Sequence, residues 1–388
     1  LVNQKGRDDV KTYFGKGRLQ DVADELSGSL SGHKWHGVDL VILHTNASPR
    51  QLVNIHENVQ VEVWDRVRLL LSLFISHANS VEARTQVRIA QLQADRTVLR
   101  ELANQQTTGE RAGFGAGGKQ AIQGVLTTVS RELTQLNKRQ QKHARARKER
   151  RRQRIRGGAK TVGLAGYTNA GKSSLFLKLS GKEVLVEDKL FSTLETTVGR
   201  MEMSPRILLA DTIGFIDELP SDLLDAFHAT LDESLECDLL LLLVDSSDNI
   251  DELKRKLSTS RREIFDRMEA LPPKIKLVLT KSDNMQDLDE ALDFVNTIGM
   301  QDPIVISSHT EHGIADLRQC ILESLYGGET NVYVADDENS TVSSESLISK
   351  IYNLGIVTNR HGNELVIWCD RGELNRLISK SNGRISIK

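Results

Sequence analysis

Residues 166–173 read Gly-Tyr-Thr-Asn-Ala-Gly-Lys-Ser, the spacing G-x-x-x-x-G-K-[ST], and the residues just before them, Thr161-Val162-Gly163-Leu164-Ala165, form a short apolar run suited to a buried strand. Leu175 and Leu179 then fall on one face of a following helix. Strand, loop and helix in that order commit the chain to an α/β fold. At such a helix N-terminus successive backbone N–H groups converge and favour an anion. The pattern assigns Gly166, Tyr167, Thr168, Asn169, Ala170, Gly171, Lys172, Ser173 and Ser174 to a phosphate cradle. Lys172 is expected to reach the β and γ oxygens, and the Ser173 hydroxyl to coordinate Mg²⁺. A bare match to this pattern arises by chance often enough to matter. The flanking strand and helix remove most of that chance.

The downstream chain narrows the chemistry. Ile207-Leu208-Leu209-Ala210 is an apolar strand that ends in Asp211-Thr212-Ile213-Gly214, the form D-x-x-G. Its Asp is expected in the Mg²⁺ shell and its Gly amide at the γ-phosphate. Leu239 to Val244 is continuously apolar, as a central parallel strand must be. Ile275 to Leu279 runs into Thr280-Lys281-Ser282-Asp283, the form [NT]-K-x-D. A carboxylate at Asp283 accepts from both the imino and exocyclic amino groups of guanine, whereas adenine lacks that donor pair. Pro303 to Ile306 is the last strand, and the amides of Ser307, Ser308 and His309 after it are expected at the guanine oxygen. Four such elements, each at a strand's C-terminal end, predict a doubly wound, mostly parallel sheet that gathers GTP or GDP at one edge.

Between the P-loop and Asp211 the first switch segment must supply a threonine to Mg²⁺ and the γ-phosphate. Phe191, Ser192, Thr193, Leu194 and Glu195 form the candidate segment. Thr193 lies twenty residues beyond Ser173 and leaves Val198 to Met203 free to form the next strand, so it is preferred; Thr197 is the rival. The metal set is then Ser173, Thr193 and Asp211, and the catalytic set Lys172, Thr193 and Gly214. Many GTPases place a Gln after the D-x-x-G glycine to orient the attacking water, but here the residue is Phe215. Slow intrinsic turnover is expected.

These motifs together resemble the HflX family of ribosome-associated P-loop GTPases. The resemblance rests on residues 166–173, on Phe191-Ser192-Thr193-Leu194-Glu195, and on Asp211-Thr212-Ile213-Gly214-Phe215 with Leu219-Pro220 and residues 223–231. It extends to Thr280–Asp283, to residues 12–22 and to the helix from Gln86 to Leu102. Thr280 stands where Asn is commoner, and the glycine-rich loop at 113–120 is followed by no acidic residue. The resemblance implies a GTP-gated factor that engages the ribosome, mainly the large subunit and its rRNA, and splits or rescues it. Two other classes compete on the residues alone. An RNA-remodelling ATPase would use the same P-loop and basic helix, and a signalling switch would offer its helices to protein or membrane effectors.

The charge pattern bears on the partner. The 388 residues carry a formal net charge of -2, yet Lys138 to Arg156 holds eleven Lys or Arg in nineteen residues against Glu149 alone. Such a run self-repels unless a polyanion neutralises it, and counterion release from RNA phosphates provides that partner. Few aromatics interleave with it, so backbone and shape contact with folded RNA is expected rather than base stacking, and no DNA partner is expected. The run lacks the Trp, Phe and Leu face that enters lipid, so membrane association is peripheral at most. Cys237, Cys320 and Cys369 are too widely spaced for a disulfide framework, which fits a reducing cytoplasm. No signal-peptide pattern and no apolar run of membrane-spanning length is present, and a monomer is expected.

Four regions follow. Residues 1–76 read as a small α/β domain, with Ser48 capping a helix that begins at Pro49. Gly15 and Gly17 read as a turn. Residues 77–157 read as two long helices joined by a glycine-rich tip in an antiparallel hairpin, the second helix carrying the basic run. Residues 158–328 are the GTP-binding domain. Residues 329–388 read β-α-β-β-α-β, a small ferredoxin-like α+β domain without a chemical motif.

Overall fold

The computed structural model describes residues 8–27, 38–78, 80–107, 116–181, 197–201, 204–211, 214–215, 237–265, 274–284, 288–300, 302–336 and 343–388. The chain forms two compact units that part after Arg147.

In the first unit, α1 (Lys16–Leu26), β1 (Leu40–Ile42), α2 (Pro49–Val59), β2 (Glu62–Trp64) and α3 (Arg66–His77) make a small α/β layer. β1 and β2 pair in parallel, which requires a crossover, and α2 supplies it. Ser48 and Gln51 form a reciprocal capping box with Pro49 in the first turn, and Gln60, at φ 57°, ends the helix in the left-handed region. Phe14, Leu19, Val22, Leu43, Ile55 and Val63 fill the core. Gly15 is the N-cap of α1. A Cβ at Gly15 or Gly17 would meet nothing within 4 Å, so these glycines answer to helix entry and not to a close approach.

α4 (Val81–Thr107) and α5 (Ala116–Arg156) are longer than their periodicity indicates. Within the first unit they run antiparallel. Ile89 and Leu92 pack against Val129 and Leu133. Arg88 binds Glu132 at 2.9 Å, and Glu82 pairs with Arg147 toward the other end. The glycine-rich tip from 108 to 115 lies outside the described residues. The basic run continues α5 without a break. Among the described residues no helix is long and apolar enough to cross a membrane.

The second unit is built on a six-stranded sheet: β3 (Lys160–Gly166), β4 (Thr197–Met201), β5 (Ser204–Asp211), β6 (Leu239–Asp245), β7 (Lys274–Thr280) and β8 (Ile304–Val305). Their order is β4-β5-β3-β6-β7-β8, and only β4 is antiparallel to its neighbour. Every residue of β6 is buried, as a strand covered on both faces requires. The covering helices are α6 (Lys172–Ser180), α7 (Ile250–Phe265), α8 (Leu288–Thr297) and α9 (Ile314–Tyr326). From β3 the chain builds outward to β5 on one side and then crosses to β6 on the other. That reversal leaves a crevice at the C-terminal ends of β3 and β6, where an open α/β sheet binds its ligand.

The chain ends in β9 (Thr330–Val334), α10 (Ser344–Leu354), β10 (Ile356–His361), β11 (Glu364–Trp368), α11 (Arg371–Lys380) and β12 (Ile385–Ile387). These form an antiparallel sheet in the order β10-β11-β9-β12. Val332, Leu347, Ile351, Leu365 and Leu374 make its core. Trp368 does not join them. It is buried in the core of the six-stranded sheet, and Ile356 packs on that same core. Gly355 permits this fit, because a Cβ there would lie 2.2 Å from the carbonyl oxygen of Trp368.

Candidate nucleotide site

The P-loop follows β3 as the spacing predicts, and its conformation explains its small residues. A Cβ at Gly166 would stand 2.4 Å from the Leu243 carbonyl oxygen, so only glycine passes β6 here. Asn169 (φ 64°) and Gly171 (φ 81°) both occupy the left-handed region, which turns successive amides toward one point. Lys172 is buried, and its Nζ donates to the carbonyl oxygens of Tyr167 at 2.8 Å and Gly166 at 3.3 Å. Burial pulls its ammonium down to about 8, against the opposing attraction of Asp211. The Ser173 hydroxyl donates to Oδ2 of the fully buried Asp211 at 2.8 Å, and Ser174 follows in α6.

The start of the D-x-x-G continuation reaches back to the P-loop. The Thr168 amide donates to the Phe215 carbonyl and the Phe215 amide to the Gly166 carbonyl, both at 2.9 Å. The Phe215 ring is buried. Tyr167 lies beneath two cations of α7, with the Arg255 Cζ 5.3 Å and the Lys256 Nζ 5.5 Å from its ring centroid. Lys256 is held in turn by Asp248 at 2.7 Å.

At the other end of the crevice, Thr280 is buried, and its Oγ1 lies 2.9 Å from the Ala170 carbonyl oxygen and 3.1 Å from that of Val244. The residue that replaces the commoner Asn thus ties β7 to the P-loop. Lys281 is in the left-handed region at φ 58°, and its Nζ pairs with Asp245 at 2.6 Å. Asp283 is exposed, and the Ser307 hydroxyl donates to its Oδ1 at 2.6 Å. That hydrogen bond is the main reason its carboxyl lies below the ordinary carboxylate range. Ser307 Oγ also accepts from the amides of His309 at 3.2 Å and Thr310 at 3.1 Å. The His309 amide, expected at the guanine oxygen, is therefore turned toward Ser307. Ser282 and Ser308 are half-buried in the same two loops.

The structure brings Gly166–Ser174, Asp211, Gly214, Thr280–Asp283 and Ser307–His309 to one sheet edge. Phe191, Ser192, Thr193, Leu194, Glu195, Thr212 and Ile213 lie outside the described residues. Thr197, the rival switch threonine, sits in β4 in register with Asp211. Sequence reasoning missed the Ser307 hydroxyl as the holder of Asp283, and it missed the Tyr167 stack. Its cue to the first was Ser307 itself; nothing marked the second. For Mg²⁺ the test is donor chemistry. A hydroxyl and a carboxylate converge at the start of α6, and hard oxygens of this kind suit that ion, which takes few protein ligands and shares the phosphates. A separate polar cavity of about 380 Å³, lined by Arg151, Lys160, Asp238 and Arg376 among others, lies at the N-terminal ends of β3 and β6, away from this site.

A doubly wound sheet with a P-loop, the D-x-x-G residues Asp211 and Gly214 and the Thr280–Asp283 loop at one edge defines a guanine-nucleotide-binding P-loop GTPase. A family described as 50S ribosome-binding GTPase matches residues 161–281, and one described as GTP-binding GTPase N-terminal matches residues 1–75. The GTPase HflX of Methanocaldococcus jannaschii is 34% identical over 325 residues, spanning 82% of this chain and 77% of that protein. The Escherichia coli GTPase HflX is 30% identical, spanning 82% and 72%. Among solved structures, a GTP-binding protein from Sulfolobus solfataricus in complex with GDP aligns over 84% of this chain and 89% of that one, at 24% identity and a TM-score of 0.45. The chain belongs to the HflX family of GTPases and is a GTP-hydrolysing enzyme.

Proposed function

We propose that this protein is a Mg²⁺-dependent, GTP-gated factor of the cytoplasm that binds the large ribosomal subunit as a monomer and splits or rescues ribosomes. The observation that carries the reading is the helix α5. Its Lys138, Arg139, Lys142, Arg145, Lys148 and Arg152 side chains are all exposed, and the helix ends four residues before the strand that feeds the P-loop. An exposed cationic ridge attached directly to a nucleotide switch suits a polyanionic partner whose grip depends on the nucleotide. The family description as a 50S ribosome-binding GTPase names the same partner for its relatives.

In this reading the amides of Asn169, Ala170 and Gly171 hold the phosphates, and Lys172 draws charge from the β and γ oxygens. Ser173, Thr193 and Asp211 would hold Mg²⁺, which would supply charge neutralisation at the phosphates. The Gly214 amide donates to the γ-phosphoryl group as water attacks in line. Asp283, set by Ser307, reads the guanine edge, which disfavours the ATP-driven alternative. Phe215 offers no group to orient water, so turnover is slow until the ribosome orders the switches or supplies one. Sedimentation with ribosomal subunits tests the proposal. Large subunits should retain the protein with a non-hydrolysable GTP analogue and release it with GDP; equal or absent co-sedimentation in both refutes it.

A further inference from the structure

We infer that Thr280 leaves N7 of the guanine base unread, so that this enzyme recognises its nucleotide from one edge of the purine only. The inference rests on the proposed placement of Asp283 against the imino and amino groups of the base. Those two donors lie on one edge of guanine; beyond O6 the other edge offers N7, an acceptor that only an N–H or O–H satisfies. Residue 280 ends β7 three residues before Asp283 and abuts the P-loop at Ala170. That is the side of the crevice toward which the N7 edge turns when Asp283 holds the opposite one. An Asn there would bring two amide protons, one for a P-loop carbonyl and one for the base, whereas Thr brings a single hydroxyl proton.

That proton is committed inside the protein. Thr280 Oγ1 lies 2.9 Å from the Ala170 carbonyl oxygen and 3.1 Å from that of Val244, so two acceptors already compete for it. The Thr280 carbonyl is committed too, accepting from the Ser246 amide at 3.0 Å and the Ser246 hydroxyl at 2.6 Å. Both residues are buried, and a hydroxyl that swung toward the base would strand a buried carbonyl oxygen. Lys281, the next side chain along, turns its Nζ to Asp245 at 2.6 Å. N7 is common to guanine and adenine. A donor to it adds affinity without telling the two apart, so its loss weakens binding and leaves the choice of base to Asp283.

Competition titration of the intact wild-type protein with GDP, 7-deaza-GDP and IDP tests the inference. The first analogue has a CH in place of N7, and the second lacks the exocyclic amino group. 7-deaza-GDP should bind as tightly as GDP or more tightly, and IDP should bind about tenfold or more weakly, the worth of a hydrogen bond to a carboxylate. If 7-deaza-GDP is more than about twofold weaker than GDP while IDP is also discriminated, a donor reaches N7 and the inference alone is overturned. If IDP matches GDP, the Asp283 reading is overturned and the inference with it. Thr280→Asn should make GDP favoured over 7-deaza-GDP by about two- to twelvefold, the range of one net neutral hydrogen bond, with the GDP-to-IDP ratio unchanged. Thr280→Ser should keep both wild-type ratios. An Asn variant that binds GDP yet makes no distinction at N7 refutes the role of residue 280; if that variant does not fold, the wild-type comparison decides.

Discussion

Replacing Thr280 by Val tests whether the base-reading strand and the P-loop are mechanically joined. The two side chains have nearly the same shape, so the substitution removes one hydroxyl and leaves packing in place. Thr280 is 2% exposed, and the same is true of Ala170, whose carbonyl oxygen lies 2.9 Å from Thr280 Oγ1. A single hydroxyl proton cannot serve both that oxygen and the Val244 carbonyl at 3.1 Å, so one hydrogen bond is lost, not two. A net hydrogen bond contributes about 0.5–1.5 kcal/mol, and stranding a buried acceptor raises the cost to about 1–3 kcal/mol. The expected loss is therefore roughly 1–2 kcal/mol, or about 2–8 °C in Tm for a unit of this size. Because the acceptor belongs to the phosphate cradle, GDP affinity should fall as well. Thr280→Ser keeps the hydroxyl and serves as the control. Denaturant titration would give the stability and calorimetric titration the affinity. The reasoning fails if Thr280→Val matches wild type in both, or if the Ser variant loses more GDP affinity than the Val variant.

Three further outcomes follow from the site. Ser307→Ala should weaken GDP binding and lower the GDP-to-ADP affinity ratio. Because the Asp283 pKa is depressed below 3.8, the wild-type ratio should be flat from about pH 5 to 8 and fall only as pH drops through that depressed value, whereas in the variant the fall should begin at higher pH. Lys172→Ala should abolish turnover and weaken GTP binding, checked under single-turnover conditions with nucleotide in the range of the enzyme. Replacing Arg150, Arg151, Arg152 and Arg154 by Gln should weaken ribosome binding and flatten the slope of log affinity against log salt by up to about 0.9 for each RNA phosphate that is no longer neutralised, with GTP affinity unchanged.

What the sequence made legible was chemistry tied to fixed spacing. The P-loop, Asp211 with Gly214, and Asp283 each need particular residue types at particular intervals, so their motifs survive any uncertainty about the surrounding elements. The C-terminal β-α-β-β-α-β order was also readable, since its apolar runs alternate with capped helices at Ser343 and Asp370. Less legible were elements without a periodic contrast. α3 is apolar on nearly every side from Val67 to Ile75, which conceals its helical period, and α1 begins between two glycines that suggest a turn. Backbone pairing left no trace at all. The hydrogen bonds of Phe215 with Gly166 and Thr168 use main-chain atoms common to every residue, and the sequence shows only that a water-orienting Gln is missing. Ser307 announced a hydroxyl but not its direction.

Trp368 has a thermodynamic consequence. The last sixty residues look separable by topology, because their own sheet and core are complete, yet their largest aromatic side chain is lodged in the core of the six-stranded sheet at 2% exposure. Cutting the chain after the GTP-binding region would remove the indole and leave its pocket lined by apolar groups facing water. The nucleotide-binding sheet and the C-terminal sheet should therefore melt as one cooperative block, and nucleotide that stabilises the first should raise the melting temperature of the second. A protease or a truncation that respects the topological seam would still break the energetic one.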